Sequence, residues 1–483
     1  MGAAAVISLA EVRERRQRAE FRRQLHECLD DWLDALEEKV KEPKPTLEQL
    51  TRVVWELRQE LTGSLTEALL GQRWGAEQEQ TSAPCPHCGR PVAARGVVGR
   101  TLQTLVGEME LSRPYFYCVP CGQGFAPLDN ALGLAPGHKQ FDVHKAVARL
   151  TAEVPYETAC ELFAELTGLK QLRESSAHTL TNEIAQGVGV LEVAPSREEI
   201  WAKVAQVAAG KRRRPIMVLA IDGAYVPTRP ETAKGGRPGR KKKRAKRALW
   251  QGEWREAKGF RFYLVDEERI EHILSWHQIG EDEELFWALK QVKEAGLIPE
   301  EQVRLCVVAD GAHWIWLQVQ ELFPTACEIL DYYHCSEHIH TVAAAQYGEQ
   351  PEKTLEWIEA TMARLFMGEV DRVIGGLKRM QPATVKAGAE INNLITYLQN
   401  NRHRVHYGSR RKGGYPLSSG GIESAHKFIC HVRLKRSGAW WYVANGNHML
   451  ALRCAKYNGT FERVFERYQQ KVLEKSRQKS VKK

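Results

Sequence analysis

Two apolar runs that each end in Asp-Gly constrain the fold of this chain more than any other feature. The first, at 216–221, is apolar at every position and precedes Asp222 and Gly223. The second begins at Val303 and delivers Asp310 in the same way. A strand that is apolar on both faces belongs in the middle of a sheet covered on both sides. The sequence therefore predicts a buried central sheet with Asp222 and Asp310 at rigid strand ends.

The elements around these two runs predict a mixed α/β domain. Their periodicity indicates strands at 260–265, 271–280 and 327–330, and a helix at 281–295. This order of strands and helices is typical of a ribonuclease-H-like fold, a mixed sheet flanked by helices. Residues 342–399 are helical throughout, and we interpret them as an insertion that precedes the helix carrying Glu423.

Three carboxylates form the candidate catalytic and metal-binding set: Asp222, Asp310 and Glu423. Magnesium and manganese prefer oxygen ligands, and two such ions about 4 Å apart suit the cleavage or joining of a phosphodiester. The set therefore predicts a site for Mg²⁺ (or Mn²⁺). Asp-Gly after a strand is also ordinary turn chemistry. Asp331, which ends the strand at 327–330, could replace or supplement Glu423, and His334 could contact phosphate or orient a ligand.

Two Cys-x-x-Cys motifs predict a zinc ribbon. Their four thiols, Cys85, Cys88, Cys118 and Cys121, can hold one tetrahedral zinc ion, and residues 97–117 between them alternate like a β-hairpin. A closed four-cysteine site leaves no open position for catalysis, so we expect the zinc to be structural. The alternatives are a redox pair and unrelated cysteines.

Basic residues cluster in two places that could neutralise phosphates, in a chain of net charge +9. The first cluster lies in a segment without apolar periodicity soon after Asp222 and contains Lys241, Lys242, Lys243, Arg244, Lys246 and Arg247. The second follows Glu423 and contains Lys427, Arg433, Lys435 and Arg436. The alternatives for these basic residues are a solvated run of charges and a localisation signal. The aromatic residues at 440–442 could stack on bases or pack in the core.

Helical segments flank the predicted ribbon. Residues 9–70 are amphipathic, with a break at Pro43 and Pro45, and could pack on the protein, pair with a second copy or bind DNA. Residues 155–191 read as helix, glycine turn and helix, which resembles a helix-turn-helix but is also the pattern of any two packed helices. If the segment is a helix-turn-helix, four residues are candidates to face a DNA groove: His178, Thr179, Thr181 and Asn182.

Composition excludes some classes of protein. No run approaches the roughly 20 apolar residues that a membrane-spanning helix needs, and the first residues do not read as a signal peptide. Eleven cysteines, an odd number, without an export signal predict a reducing compartment. We therefore expect a cytoplasmic protein with no membrane partner.

Several motifs carry a resemblance to a known family. AIDGAYV, VVADGAHWIW, DYYHCSEH and SSGGIESAHKFI resemble bacterial insertion-sequence DDE transposases of the ISKra type, which are distantly related to Mutator-like transposases. The resemblance implies a ribonuclease-H-like catalytic domain interrupted by an all-helical insertion. It gives catalytic roles to Asp222, Asp310 and Glu423 and makes Asp331 and His334 an accessory element. It departs at Ser-Ser-Gly-Gly, where relatives often have Gly-Ser-Gly before the glutamate, and it does not extend to the N-terminal helices or the basic segment after Asp222.

The resemblance implies a transposase that binds the ends of its insertion sequence and carries out metal-dependent cleavage and strand transfer. Its partners would be double-stranded DNA, as transposon ends and target, and further copies in a homodimer or larger assembly associated with the bacterial nucleoid. The alternatives are a zinc-ribbon DNA-binding regulator and a ribonuclease-H-like nuclease. The expected segments are N-terminal helices at 1–80, ribbon at 81–135, helical DNA-binding region at 136–210, catalytic domain at 211–340, helical insertion at 341–415, and catalytic end with basic tail at 416–483.

Overall fold

The computed structural model describes residues 9–170, 172–230, 252–266, 269–348 and 350–482. It separates into two compact units, one formed by Met1–Ile184 with Phe465–Lys483 and the other by Ala185–Val464. One predicted DNA-binding cluster lies outside the described residues: Lys241, Lys242, Lys243, Arg244, Lys246 and Arg247. No helix in the described part of the chain combines the length and apolar character needed to cross a membrane.

The first unit combines long N-terminal helices, an antiparallel sheet and a group of shorter helices. Its elements are α1 (Leu9–Lys39), α2 (Leu47–Gln78), β1 (Ser82–Pro84), β2 (Pro91–Thr104), β3 (Gly107–Cys118), β4 (Gln123–Phe125), α3 (Pro127–Ala131), α4 (Phe141–Thr151), α5 (Tyr156–Thr167) and α6 (Glu174–Ala185). The last helix of the chain, numbered α19 (Phe461–Lys482), ends in this unit.

The predicted break at Pro43 and Pro45 is confirmed, and the helices on either side of it, α1 and α2, form an antiparallel hairpin. Thr46 caps α2 through a reciprocal pair of hydrogen bonds with Gln49, which satisfies backbone groups at the start of the helix. The indole of Trp32 donates to the carbonyl of Leu57 at 3.1 Å and ties the two helices together. Because no described residue of α1 is buried, its surface remains largely open.

The sheet of the first unit has the order β1-β2-β3-β4, with antiparallel neighbours throughout. The predicted hairpin is confirmed and extends further than expected, because β2 and β3 pair from Ala94 opposite Phe116 to Thr104 opposite Gly107. Gly107 has φ +133°, and a Cβ atom there would lie 2.6 Å from the Gln59 carbonyl oxygen. Glycine is therefore required where this turn meets α2.

The two helices of the helix-turn-helix candidate are present as α5 and α6. Helix α5 ends at Gly168, whose φ of +71° is the left-handed conformation that commonly ends helices. Thr181 does not face outward, because it is buried and its hydroxyl lies 2.9 Å from that of Thr151 on α4. Of the candidate groove residues Thr179 is exposed, and His178 and Asn182 are half-buried.

The second unit contains a sheet, flanking helices and a helical stretch between the last strand and Glu423. Its elements are α7 (Val190–Val193), α8 (Arg197–Ala208), β5 (Ile216–Thr228), β6 (Glu253–Asp266), β7 (Arg269–Ile279), α9 (Asp282–Glu294), β8 (Arg304–Ala309), α10 (His313–Leu322), β9 (Cys327–Leu330), α11 (Tyr332–Tyr347), α12 (Pro351–Phe366), α13 (Val370–Arg379), α14 (Val385–Asn400), α15 (Tyr407–Lys412), α16 (Gly420–His426), α17 (Val432–Leu434) and α18 (Val443–Tyr457). A short 3₁₀ helix spans Arg402–Arg404, and a π-helical turn spans Lys427–His431.

The five-stranded sheet has the order β7-β6-β5-β8-β9. Strands β7, β6 and β5 are antiparallel neighbours, whereas β5, β8 and β9 are parallel. The predicted central position of β5 is confirmed, since residues 217–220 have no exposed surface. The mixed α/β class predicted from the sequence is therefore observed.

The sequence pattern predicted that β5 stops at Asp222, but the strand continues beyond this residue. Its parallel pairing with β8 ends at Ile221 opposite Ala309, but its antiparallel pairing with β6 continues to Thr228 opposite Glu253. The apolar run marks only the part of the strand that has neighbours on both edges. Asp222 therefore lies within a strand, at the point where one edge becomes free.

The helix that carries Glu423 ends at His426 and is followed directly by the π-helical turn. Arg453, which is fully buried, places its Nε atom 2.9 Å from the carbonyl oxygens of both Phe428 and Ile429 within that turn. The guanidinium thus satisfies carbonyls that irregular helix geometry leaves available.

Candidate active site and cysteine cluster

Three aspartates follow the last paired residues of the three parallel strands. The pairs Ile221–Ala309 and Ala309–Leu330 end the ladders β5–β8 and β8–β9, and the next residues are Asp222, Asp310 and Asp331. The carboxyl ends of parallel strands meet at one edge of a sheet, which is a common place for a ligand site. The strand register therefore brings these three acids to the same edge.

Asp222 lies in an environment that opposes its charge. Burial is the main cause that raises its pKa to about 6, and the negative charges of Asp310 and Glu423 raise it further. The N–H of Gly223, 2.8 Å from Oδ1, and the charge of His334 act in the opposite direction. A bound cation would stabilise a partly buried carboxylate that is repelled by the negative charges of two others.

Asp310 is held by the start of α10. Its Oδ1 atom accepts a hydrogen bond from the N–H of Ala312 at 2.9 Å, and its carbonyl accepts one from the indole of Trp316 at 2.9 Å. A Cβ atom at Gly311 would lie 2.1 Å from the ring of Tyr397, so only glycine lets α14 approach here. Asp310 is thus fixed by a strand before it and a capped turn after it.

Glu423 is exposed on α16, and the opposite side of this helix is anchored to the sheet. The guanidinium of Arg261, on β6, donates to the carbonyl of Gly421 and to the hydroxyl of Ser424, the latter at 2.7 Å. A Cβ atom at Gly421 would lie 2.5 Å from the ring of Tyr263, so the glycine permits close packing of α16 on β6. These contacts hold the helix that presents Glu423.

Asp331 links two parts of the site. It is 1% exposed, and one carboxylate oxygen accepts the N–H of His334 at 2.9 Å while the other accepts the N–H of Ser419. The first bond caps α11 and the second holds the loop just before α16. Asp331 therefore positions the segment that carries Glu423, whereas the ring of His334 is partly exposed, 3.6 Å from Glu337.

A pair of histidines beside Asp222 was missed by the sequence reasoning. His426 places Nδ1 3.7 Å from Oδ2 of Asp222, and its ring centre lies 5.0 Å from that of His277. Asp222, Gly259 and His277 are opposite one another on β5, β6 and β7, and a Cβ atom at Gly259 would lie 2.2 Å from the His277 ring. Burial lowers the pKa of His426 to about 4, so its ring is neutral near pH 7.

Two further residues that the sequence reasoning missed lie near Asp310. The rings of His338 and Tyr397 are 4.1 Å apart at their centres. Burial lowers the pKa of His338 and raises that of Tyr397, and the negative charge of Asp310 acts on both groups. Spacing along a helix could have indicated two of the missed residues. His338 follows His334 by one helical turn, and His426 follows Glu423 by three residues.

The donor set of the three carboxylates suits magnesium, which prefers oxygen ligands and retains several water molecules. Their oxygens are not gathered as closely as the cysteine thiols. Among the described residues, only the four cysteines form a group of three or more potential ligands that all lie within 4.8 Å of one another.

The four cysteines of the two Cys-x-x-Cys motifs come together as predicted. Cys88 and Cys118 have their Sγ atoms 3.7 Å apart, close to the edge of about 3.8 Å expected for a zinc–thiolate tetrahedron. Backbone N–H groups of Cys88 and His87 lower the pKa of Cys85 to about 7. This set of thiols fits a zinc ion, which requires thiolates.

The basic residues after Glu423 do not all face solvent. Lys427 and Arg436 are exposed and Lys435 is half-buried. The position of Arg433 does not agree with the predicted phosphate contact, because the residue is 3% exposed and its guanidinium lies over the ring of Trp441. Its side chain packs in the unit because that ring and neighbouring residues cover it. Trp441 is likewise buried, which favours packing over base stacking.

The raised pKa of Asp222 predicts a stabilising substitution. Its folded-state value of about 6 exceeds the ordinary 3.8, so its contribution to stability is present below about pH 3.8 and is lost as pH rises through about 6. Asp222→Asn removes the buried charge. In magnesium-free buffer that retains zinc, the variant should therefore be more stable than wild type at pH 8 by about 3 kcal/mol and of similar stability near pH 4.

Thermal unfolding at both pH values measures this difference. Asp371→Asn, at an exposed carboxylate paired with Arg402, is the matched control and should show no comparable pH-dependent gain. Equal or lower stability of Asp222→Asn at pH 8 would contradict the interpretation.

Comparisons with known proteins give a family and a weak structural likeness. The model of a family described as "Uncharacterised protein family (UPF0236)" matches residues 93–471, so the chain belongs to that family. A comparison with curated proteins gives no match. A solved structure titled "Drosophila P element transposase strand transfer complex" is similar with 8% identity and a TM-score of 0.29, covering 66% of this chain and 92% of that chain.

Proposed function

We propose that this member of the UPF0236 family is a DDE-type DNA transposase that cleaves the ends of its insertion sequence and joins them to target DNA. The observation that carries the proposal is the strand register that sets Asp222 and Asp310 side by side, with Glu423 on α16 close enough to raise the pKa of Asp222. Three converging carboxylates are a suitable set for metal-assisted phosphodiester chemistry.

The topology of the sheet supports the assignment of a ribonuclease-H-like catalytic domain. Three antiparallel strands followed by two parallel ones, in the order β7-β6-β5-β8-β9, give the mixed sheet expected for that fold. The elements between β9 and α16 are helical, in keeping with an insertion before the glutamate. In this proposal the chain keeps the segments given above: helices at 1–80, ribbon at 81–135, DNA-binding helices at 136–210, and a catalytic domain at 211–340 and 416–483 around the insertion at 341–415.

In the proposed reaction each residue has a separate task. Asp222, Asp310 and Glu423 would hold Mg²⁺ (or Mn²⁺), which when bound would supply charge stabilisation for the attacking and leaving oxygens. A water oxygen attacks phosphorus at the transposon end and releases a 3′-hydroxyl. That hydroxyl then attacks a target phosphodiester, so each P–O bond broken is replaced by one formed. Asp331 holds the loop before Glu423, and neutral His426 contacts Asp222 without adding charge.

The remaining predicted residues would bind the substrate or stabilise the fold. Lys427, Lys435 and Arg436 near α16, together with the basic cluster at 241–247, would contact DNA phosphates. Zinc at Cys85, Cys88, Cys118 and Cys121 would stabilise a zinc ribbon in the DNA-binding half of the chain. The partners would be double-stranded DNA and further copies of the chain, acting on the bacterial nucleoid.

The test is an assay of cleavage and joining with a labelled duplex that carries the DNA flanking this gene. Magnesium-dependent joined products are expected from the wild-type protein, with none when magnesium is omitted from a buffer that preserves zinc. Cleavage without joining would instead identify a nuclease. Binding of the duplex without any chemistry would contradict the proposal and favour a DNA-binding regulator.

A further inference from the structure

Helix α1 carries opposite charges in its two halves. Positions 15–23 contain five arginines and one glutamate, whereas positions 30–38 contain five acidic residues and no basic one. The arginines of the first window and the acids of the second are all exposed. The two windows lie at about equal distances from His26. The helix thus presents a basic and an acidic surface of equal length.

This distribution is unfavourable for the helix by itself. Backbone dipoles place partial positive charge at a helix N-terminus and partial negative charge at its C-terminus, which favours acids first and bases last. Helix α1 has the reverse order. Like charges also recur one turn apart, as at Arg18 and Arg22 or Asp30 and Asp34, and such pairs destabilise a helix. A partner of complementary charge would offset both effects.

Helix α2 does not supply that complement to the acidic half of α1. Beside the acidic half of α1, its first turns contain Glu48, Arg52, Glu56, Arg58 and Glu60, which nearly cancel. Lys39 of α1 and Glu56 of α2 form an exposed ion pair at 3.7 Å. The acidic half of α1 therefore keeps its excess of negative charge in the hairpin.

An apolar strip lies beside the charged surface. Leu29, Leu33 and Val54 are 39%, 42% and 44% exposed, and they directly follow three better-covered residues on the two helices, Cys28, Trp32 and Val53. Each exposed residue therefore lies about 100° further around its helix than the better-covered residue before it, in the same rotational sense on both helices. Because α1 and α2 are antiparallel, this rotation brings all three to the same side of the hairpin. That side offers apolar surface for burial.

We propose that α1 is an interface with a second copy of this chain, paired antiparallel about a two-fold axis near His26. In that arrangement Arg15, Arg18 and Arg22 of one copy lie level with Glu37, Asp34 and Asp30 of the other, and the relation is repeated by symmetry. Parallel pairing would instead place like charges together. The interface does not depend on the proposed transposase chemistry, and its test uses neither DNA nor magnesium.

The test measures the mass of full-length, zinc-loaded protein by analytical ultracentrifugation. An acidic variant carries Arg15→Glu, Arg18→Glu and Arg22→Glu, and a basic variant carries Asp30→Lys, Asp34→Lys and Glu37→Lys. Each should weaken self-association by at least about 100-fold, because like charges then face each other. An equimolar mixture of the two should form a heterodimer, because an α1 of net negative charge then faces one of net positive charge.

Both variants bring the charges of α1 closer to those that the helix dipole favours, so the helix should persist, and circular dichroism checks this. A matched control, Glu352→Lys with Glu356→Lys and Glu359→Lys on exposed positions of α12, changes net charge as the basic variant does and should leave the dimer intact. The wild-type dimer should weaken as salt rises from about 0.05 M to about 0.5 M. A monomeric wild-type protein at tens of micromolar, or a dimer that persists in both variants, would overturn the proposal.

Discussion

Asp310→Asn should bind the element-end duplex as the wild type does but lose at least about 10³-fold in cleavage rate, equivalent to about 4 kcal/mol of transition-state stabilisation. Asparagine keeps an Oδ1 atom to accept the N–H of Ala312, so the turn at the start of α10 should survive. What it removes is the negative charge beside Asp222. The effect should therefore appear in the chemical step and not in stability or DNA affinity.

Single-turnover cleavage and a binding titration, made in parallel, separate these quantities. Asp371→Asn removes an exposed carboxylate of the same unit and should cleave at the wild-type rate. Wild-type cleavage by Asp310→Asn would exclude this carboxylate from the reaction. Loss of binding together with cleavage would show that the substitution acts through the fold.

Loss of zinc should unfold the sheet of the first unit. We expect one zinc ion per chain in the wild type and less than one in Cys85→Ser and Cys118→Ser. Structural zinc in small domains contributes about 10–16 kcal/mol, which is comparable to the whole stability of a typical domain. The sheet has little else to replace it near the four cysteines, where a small core forms around Phe116 stacked on Phe125, with ring centres 5.5 Å apart.

Metal analysis, together with hydrogen exchange over β1 to β4, measures this effect. Cys28→Ser, which changes a cysteine outside the cluster, should retain one zinc ion and wild-type protection. Increased exchange limited to the sheet, with β5 to β9 unchanged, is the expected pattern in the two cluster variants. Full zinc content in either of them would exclude that cysteine as a ligand.

Local patterns were sufficient where the chemistry depends on neighbours in sequence. The spacing of Cys85, Cys88, Cys118 and Cys121 predicted their clustering, because each Cys-x-x-Cys turn orients its own pair and the hairpin brings the pairs together. Apolar runs placed β5 and β8 in the middle of a sheet for a similar reason. Burial on both faces leaves an uninterrupted apolar signature that can be read without knowing what covers the strand.

Contacts between distant segments could not be read in the same way. Asp331 appeared as one more strand-end acid, yet its partner Ser419 lies 88 residues away and makes it a positioning group. Arg433 counted as a basic residue near Glu423, whereas packing turns it onto Trp441. In both cases the residue type was informative, but its direction depended on the segments packed around it.

The sequence by itself determined which residues carry the candidate chemistry, the zinc-type cysteine set, the class of fold and the charge asymmetry of α1. These are properties of composition, spacing and periodicity along the chain. Only the tertiary structure decided that Asp222 lies opposite Gly259 and His277, that His426 reaches its carboxylate, and that Gly311 admits Tyr397. The reason is that strand register and helix packing depend on the free energy of many distant contacts together, which no local window of sequence contains.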